Sequence, residues 1–278
     1  MQLYAHDEDG QVVSAVQAQR QRNYLCLECQ GKVRIRAGFH RQHHFYHLQL
    51  TPGCRQSQKS LEHLQTQIHL QRIIGQNACH LEYRFSEVNR IADVAWPTEK
   101  LVFEVQCSPI SAKEVAARIQ DYRKIGFEVV WILHEQTFGQ QRLTAAELRL
   151  RNHPCYFCNM NADGEGLIYD HFDLIRQGLR THRLDALSVN LSQPKIWTAA
   201  AEWLLQRTKG RLSESPLYFA GDLTDLSLSK DQSPYINQAR EIEQAHQTRP
   251  ERWPRLCLGY LRRLYRIVFQ LLLEKVSH

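Results

Sequence analysis

Apolar and polar residues change their spacing several times along this chain, and each change predicts an element. Over residues 60–74 (SLEHLQTQIHLQRII), Leu61, Leu64, Ile68 and Ile73 fall near a helical period, and Ser60 is a suitable N-cap. Three strand-like stretches follow: HLEYRF at 80–85, NRIADVAW at 89–96 and LVFEVQCS at 101–108. The connector PTEK joins the last two as a hairpin turn. Residues 111–127 return to the helical period. There Val115, Ile119, Tyr122 and Ile125 form an apolar stripe, Ser111 with Glu114 matches a capping box, and Gly126 suits a stop. EVVWIL at 128–133 is a continuous apolar strand of the kind buried in a parallel sheet. Strand, helix, strand in this order is a βαβ unit, normally right-handed, so residues 60–135 read as α/β.

The flanks differ. Residues 1–57 hold short strand-like pieces (QVVSAV, KVRIRAG) among many His, Cys and Arg. Beyond about residue 175 the pattern predicts helices at 199–210 and 255–276, the second carrying Arg255, Arg262, Arg263 and Arg266, with a Ser/Asp-rich loop at 212–234. Three regions are expected: a Cys/His module (1–57), an α/β domain (58–172) and a mainly helical region (173–278). A net charge of +6 with 14 His suits a polyanionic partner. No apolar run approaches the ~18 residues of a membrane span, and MQLYAHDEDGQ carries no apolar signal segment. The expectation is a cytoplasmic protein with reduced thiols, in which paired Cys read as metal ligands before disulfides.

Glu104 interrupts an otherwise apolar strand. Residues i and i+2 of a strand share a side, so Glu104 and Gln106 put a carboxylate and an amide together on one face. A buried, unpaired carboxylate is costly. With PTEK as the turn, Trp96 opposes Leu101, and three steps along both strands Asp93 opposes Glu104. Opposed Cβ atoms lie roughly 4.5–5.5 Å apart, and like charges so placed repel. A Mg²⁺ or Mn²⁺ ion between them removes the repulsion, since hard cations take carboxylate oxygens.

Cys26-x-x-Cys29 and His44-x-x-His47, with fourteen residues between the pairs, have the pattern of a tetrahedral structural Zn²⁺ site. Cys54 or His43 is placed to replace one of these ligands. Cys155-x-x-Cys158 repeats the spacing, but no second pair follows it. Lys32, Arg34 and Arg36 alternate on one strand face, either as a phosphate contact or as a solvated surface.

Taken in order, SLEH, RIADV, FEVQCSPIS, RIQDY and VVWIL resemble the nuclease region of CoiA-like competence proteins, over roughly residues 20–135. Those proteins are similar to the PD-(D/E)xK nuclease superfamily. The resemblance implies an α/β fold with a mixed sheet flanked by helices, here between a zinc-binding-like module and a helical C-terminal region. It implies Asp93 and Glu104 as metal-binding acids, Glu62 as the acid on the preceding helix, and Gln106 where Lys usually stands. Glutamine can orient water but supplies no charge, although Glu-x-Gln variants occur among relatives. The Cys/His module matches too, ending in His-Phe-x-His.

The implied reaction is metal-assisted phosphodiester hydrolysis. Glu62, Asp93, Glu104 and Gln106 are the expected catalytic set. Arg118 and Tyr122, one helical turn apart, are expected to contact DNA together with Lys32, Arg34 and Arg36, and His63 is a further candidate contact. The implied setting is natural transformation or recombination. DNA, single-stranded or branched, is the implied substrate, with recombination proteins as partners. The alternative is a catalytically weak DNA-binding adaptor that recruits those proteins.

Overall fold

The computed structural model describes residues 1–38, 41–49, 51–170, 173–183, 186–196, 215–222 and 244. All but residue 244 fall in the first of two units, Met1–Ser233. Its opening part is an antiparallel sheet of β1 (Tyr4–His6), β2 (Val12–Ser14), β3 (Tyr24–Leu25), β4 (Lys32–Gly38) and β5 (Arg41–His47), ordered β2-β1-β3-β4-β5. Val33, Phe45, Tyr24 and Ala5 bury together on one side of it. That core is small, which is where a structural metal contributes most.

Next comes α1 (Leu61–Ile74), whose N-cap Ser60 accepts from the His63 backbone N–H. It is followed by β6 (His80–Phe85), β7 (Arg90–Trp96), β8 (Leu101–Gln106), α2 (Ala112–Lys124) and β9 (Glu128–His134). Trp96 pairs with Leu101 and Val94 with Phe103, the register expected of the PTEK turn. Within that turn Lys100 takes φ +56° and its N–H bonds to Pro97 O. Strands β8 and β9 run parallel across α2, as the βαβ reading requires.

The described elements end with α3 (Ala145–Leu150), β10 (Cys155–Cys158), β11 (Ile168–Asp170), β12 (Leu174–Arg176), β13 (Leu179–His182), β14 (Leu187–Ser188), β15 (Asn190–Ile196) and β16 (Leu217–Ala220). The central sheet is mixed, in the order β14-β11-β10-β9-β8-β7-β6, with β8, β9 and β10 parallel.

Strand alternation divides β8 between two cores. Phe103 and Val105 pack with Leu64 and Leu70 of α1. Val102 packs with Val115, Ile119 and Tyr122 of α2, so Glu104 shares the α2 side. The sheet continues past residue 172, because β14 pairs with β11. Phe219 also packs against Phe103 and Tyr156, with ring centroids 6.2 and 5.8 Å away. Within the expected loop at 212–234, Leu217–Ala220 is instead a strand paired with β15, its apolar run finding a place on the core. The helices expected at 199–210 and 255–276, with their arginines, lie outside the described residues. Among those that are described, no helix is long and apolar enough to cross a membrane.

Candidate active site and metal cluster

The β7–β8 pairing runs as far as Val94 and Phe103. Beyond it, the next inward N–H of β8, that of Val105, donates to Asp93 Oδ2 at 2.9 Å instead of to strand backbone. At this point a cavity of about 600 Å³ is lined by Asp93, Glu104, Gln106, Lys59, His63 and Arg118. Both acids are buried, Asp93 at 4% exposure and Glu104 at 1%. The expected pair of acids and the neighbouring amide thus open onto one space.

Each carboxylate has its own set of donors. Glu104 is held by Tyr122 Oη at 2.7 Å and by the Arg118 guanidinium. Residues 118 and 122 are one turn apart on α2 and so reach the same strand residue. Asp93 Oδ1 receives Lys59 Nζ and His63 Nε2, both at 2.9 Å, and Gln67 Nε2 at 2.8 Å. Burial opposes a charge on Asp93, but His63 and Lys59 outweigh it and hold this carboxyl well below the usual range. Burial also dominates at Glu104, and the charge of Asp93 adds to it, so this carboxyl is lifted despite Arg118. Two acids in one site with pKa values pushed apart are what acid–base and metal sites display.

Lys59 was not singled out by sequence reasoning. Its side chain is 7% exposed, and its ammonium bridges Asp93 and Glu82 Oε1, the latter at 3.0 Å. Burial alone would lower its pKa; the two acids raise it. Glu82 also accepts the backbone N–H groups of Leu3 at 2.9 Å and Tyr4 at 3.0 Å.

The second cluster lies in the opening module. Cys26 and Cys29 stand in the turn between β3 and β4, His47 ends β5, and Cys54 precedes a short 3-10 turn at Arg55–Gln58. Their ligand atoms all lie within 4.8 Å of one another. Cys26 and Cys54 sulfurs are 3.8 Å apart, and His47 Nε2 lies 3.3 Å from Cys29 Sγ and 3.6 Å from Cys54 Sγ. Tetrahedral zinc, with Zn–S of about 2.3 Å and Zn–N of about 2.0 Å, needs S···S near 3.8 Å and S···N near 3.5 Å. The residues therefore fit zinc. Gly31 lies close to this cluster: a Cβ there would lie 3.2 Å from Cys29 Sγ and 3.1 Å from Thr51 Oγ1, so a larger residue would crowd a ligand sulfur.

Comparison with protein families matches two stretches of the chain. Residues 9–57 match the model for the N-terminal domain of competence protein CoiA, and residues 59–180 match its nuclease-like domain. The chain belongs to the family of CoiA-like competence proteins. No curated protein and no solved structure matches it.

Several residues expected at the site of this CoiA-like chain stand elsewhere. His44 is replaced in the metal cluster by Cys54. Residues 44 and 47 are three apart on a strand and so face opposite ways, and His44 Nδ1 bonds to Gln42 O at 2.8 Å. The same geometry separates Cys155 from Cys158, which lie on β10 and pack with opposite cores. Glu62 does not line the cavity, while His63 does, a rotation of about 100° along the helix. Lys32, Arg34 and Arg36 also lie outside it. Arg34 bonds to Asn23 Oδ1 and Arg36 stacks over Tyr46. The cations that line the cavity are Arg55, Lys59, Arg90 and Arg118.

Proposed function

We propose that this cavity is the active site of a metal-dependent deoxyribonuclease of the PD-(D/E)xK type, acting on DNA during transformation or recombination. The observation that carries the reading is the opening of two buried carboxylates from adjacent strands, Asp93 and Glu104, onto one cation-lined cavity. Asp93 and Glu104 would hold Mg²⁺ or Mn²⁺, which when bound supplies Lewis-acid polarisation of the phosphodiester. The donors suit a hard cation: both are carboxylates, and each carboxylate offers about four acceptor sites. Glu104 spends one oxygen on Tyr122 and the other on Arg118, and Asp93 Oδ2 accepts only Val105 among its described partners. Lone pairs therefore remain.

Lys59 supplies the fixed positive charge that Gln106 lacks, and it stabilises charge developing on the phosphate. Gln106 Nε2 bonds to Ser108 O at 2.7 Å, leaving its carbonyl to orient water. Arg118 and Tyr122 hold Glu104 in place. His63, not Glu62, serves the site from α1. The substrate is a DNA strand, single or branched, and Zn²⁺ in the Cys26, Cys29, His47 and Cys54 cluster is structural.

The adaptor reading has an observation of its own, since each acid already has a cationic partner within the chain. A cleavage assay on single- and double-stranded DNA with Mg²⁺ or Mn²⁺, comparing the parent chain with Glu104→Gln, separates the two. The nuclease reading expects cleavage by the parent, no cleavage by the variant and DNA binding by both. Binding without cleavage by either chain supports the adaptor, and absence of binding sinks both readings.

A further inference from the structure

The Cys-x-x-Cys turn does more than present two sulfurs. Glu28 sits between its two cysteines, and its carboxylate reaches the chain just after Cys54. It accepts the Arg55 backbone N–H at 2.7 Å, the Gln56 N–H at 3.2 Å and Arg55 Nε at 2.6 Å. Both ends of this clamp adjoin cluster residues, so an ion on the four ligands fixes the clamp and the arginine together.

The clamp faces the candidate active site. Glu28 and Arg55 line the same cavity as Asp93, Glu104 and Gln106. Arg55 Nη1 lies 3.8 Å from Glu114 Oε1, which also receives Arg118 Nε at 3.0 Å, and Arg118 holds Glu104. A line of alternating charge thus runs from the knuckle to the buried acid: Glu28, Arg55, Glu114, Arg118, Glu104.

Among the described residues, the four Lys and Arg side chains that line the cavity differ in availability. Lys59, Arg90 and Arg118 have side chains 7%, 13% and 15% exposed, and each bridges two acids. The Arg55 side chain is 40% exposed, and its one short ion pair is the clamp itself. An incoming strand therefore meets Arg55 before the others, with its guanidinium already oriented.

We propose that the Cys/His knuckle forms one wall of the nucleic-acid cleft, that Arg55 is its contact to the phosphodiester backbone, and that Glu28 is the positioning residue that aims Arg55. The cluster then contributes to substrate binding as well as to folding. This rests on the reading of the cavity as a DNA site, and it adds residues that neither the acid pair nor the α2 contacts include.

The test uses the full zinc-loaded chain and a fluorescent oligonucleotide, single-stranded and duplex. Affinity is measured from 50 to 200 mM salt with Mg²⁺ and Mn²⁺ omitted, so that no strand is cut. Arg55→Gln is expected to weaken binding about tenfold, the low end for a hydrogen bond to a charged group. It should also flatten the log–log salt slope by about 0.7 to 0.9, the value of one phosphate contact. Arg55→Lys should recover most of the slope.

Glu28→Ala gives a test of sign. If Glu28 acts only through its charge, removing a negative group tightens DNA binding; if it aims Arg55, binding weakens with zinc content unchanged by elemental analysis. Should Glu28→Ala lose zinc, Glu28→Gln, which keeps one acceptor oxygen, is read in the same way. Unchanged affinity and slope in Arg55→Gln, or tighter binding on loss of the Glu28 charge, overturns the proposal while leaving the nuclease reading intact. Arg55-dependent binding by a chain that cuts no DNA keeps this proposal and ends the nuclease reading. A parent chain that binds no DNA ends both.

Discussion

Glu104→Gln changes one charge and almost nothing of the shape of a side chain that is 1% exposed. Burial, the largest influence on that charge, opposes it; Arg118 favours it; Asp93 opposes it. The balance raises the carboxyl pKa above its unfolded value near 4.3. A group raised in this way contributes stability that is fully present below the unfolded pKa and is lost as pH rises through the folded one. At neutral pH, without a bound cation, a charge on this carboxyl is thus a net cost. The amide oxygen can still accept from Arg118, its NH2 can donate to the Tyr122 hydroxyl, and the neutral group carries no such cost. The metal-free variant should therefore melt no lower than the parent, and higher by roughly 2–4 °C for each kcal/mol relieved.

If Glu104 were simply the counter-ion of Arg118, the outcome would reverse. Breaking a buried ion pair costs ~3–5 kcal/mol, a fall on the order of 10 °C. Arg118 keeps Glu114 at 3.0 Å, which trims that figure without changing its sign. Divalent metal supplies the second limb. At a hundred times its Kd, a ligand that binds only the folded state adds about 2.7 kcal/mol. Mn²⁺ should give that increment to the parent and none to Glu104→Gln. Thermal melts of both chains at pH 7.5, with and without Mn²⁺, read all four states. A metal-free variant that melts far below the parent, or one that keeps the Mn²⁺ increment, would refute the metal-site reasoning.

Three further outcomes are expected. Cys54→Ser should purify with little zinc while His44→Ala keeps about one per chain, as read by elemental analysis; the opposite pattern would return His44 to the cluster. Lys59→Met should slow single-turnover cleavage by about a hundredfold or more, the scale of one lost charge-stabilising donor, and an unchanged rate would remove Lys59 from the mechanism. Mn²⁺ affinity in the parent should rise with pH, because protons compete for Glu104 and its raised carboxyl places that competition above pH ~4.3; calorimetric titration from pH 5 to 8 that finds no dependence would contradict the raised value.

The fold was legible where local pattern and packing agree. The helical stripe with its Ser60 and Ser111 caps, the four-residue turn and the apolar β9 each specify themselves within a dozen residues, and the observed bounds follow them closely. The register of β7 on β8 was legible for the same reason: the turn sets it, and it holds as far as Val94 and Phe103, with Asp93 and Glu104 just beyond the last pair. What failed depends on a partner distant in sequence or on backbone type. The x-x spacing of His44 and His47 suits a helix or a tight turn, and on β5 it sends the two rings apart. Cys54, foreseen with His43 as a replacement ligand, is the one the cluster uses; its loop is tied to the knuckle by Glu28, twenty-six residues away.

Lys59 and Glu82 show that a missed residue can still leave a local trace. Lys59 immediately precedes the N-cap of α1, an end whose dipole disfavours cations. A lysine there invites a search for distant acids, and the structure supplies two, one of them thirty-four residues on, in β7. Glu82 belongs by alternation to the outer side of β6, with His80 and Arg84. It is nevertheless 4% exposed and takes φ +49°, a conformation in which a glutamate is strained. The strain turns its carboxylate toward Lys59 and toward the N–H groups of Leu3 and Tyr4. Glu104 breaks the apolar run of β8 in the same sense. Three violated local rules, at Lys59, Glu82 and Glu104, thus fall around one cavity or in direct contact with its lining. Departures from local consistency gather where a protein does chemistry; had they been scattered over the surface, each would read as noise. Their convergence brings β1, the start of α1 and the β7–β8 hairpin together around one cavity.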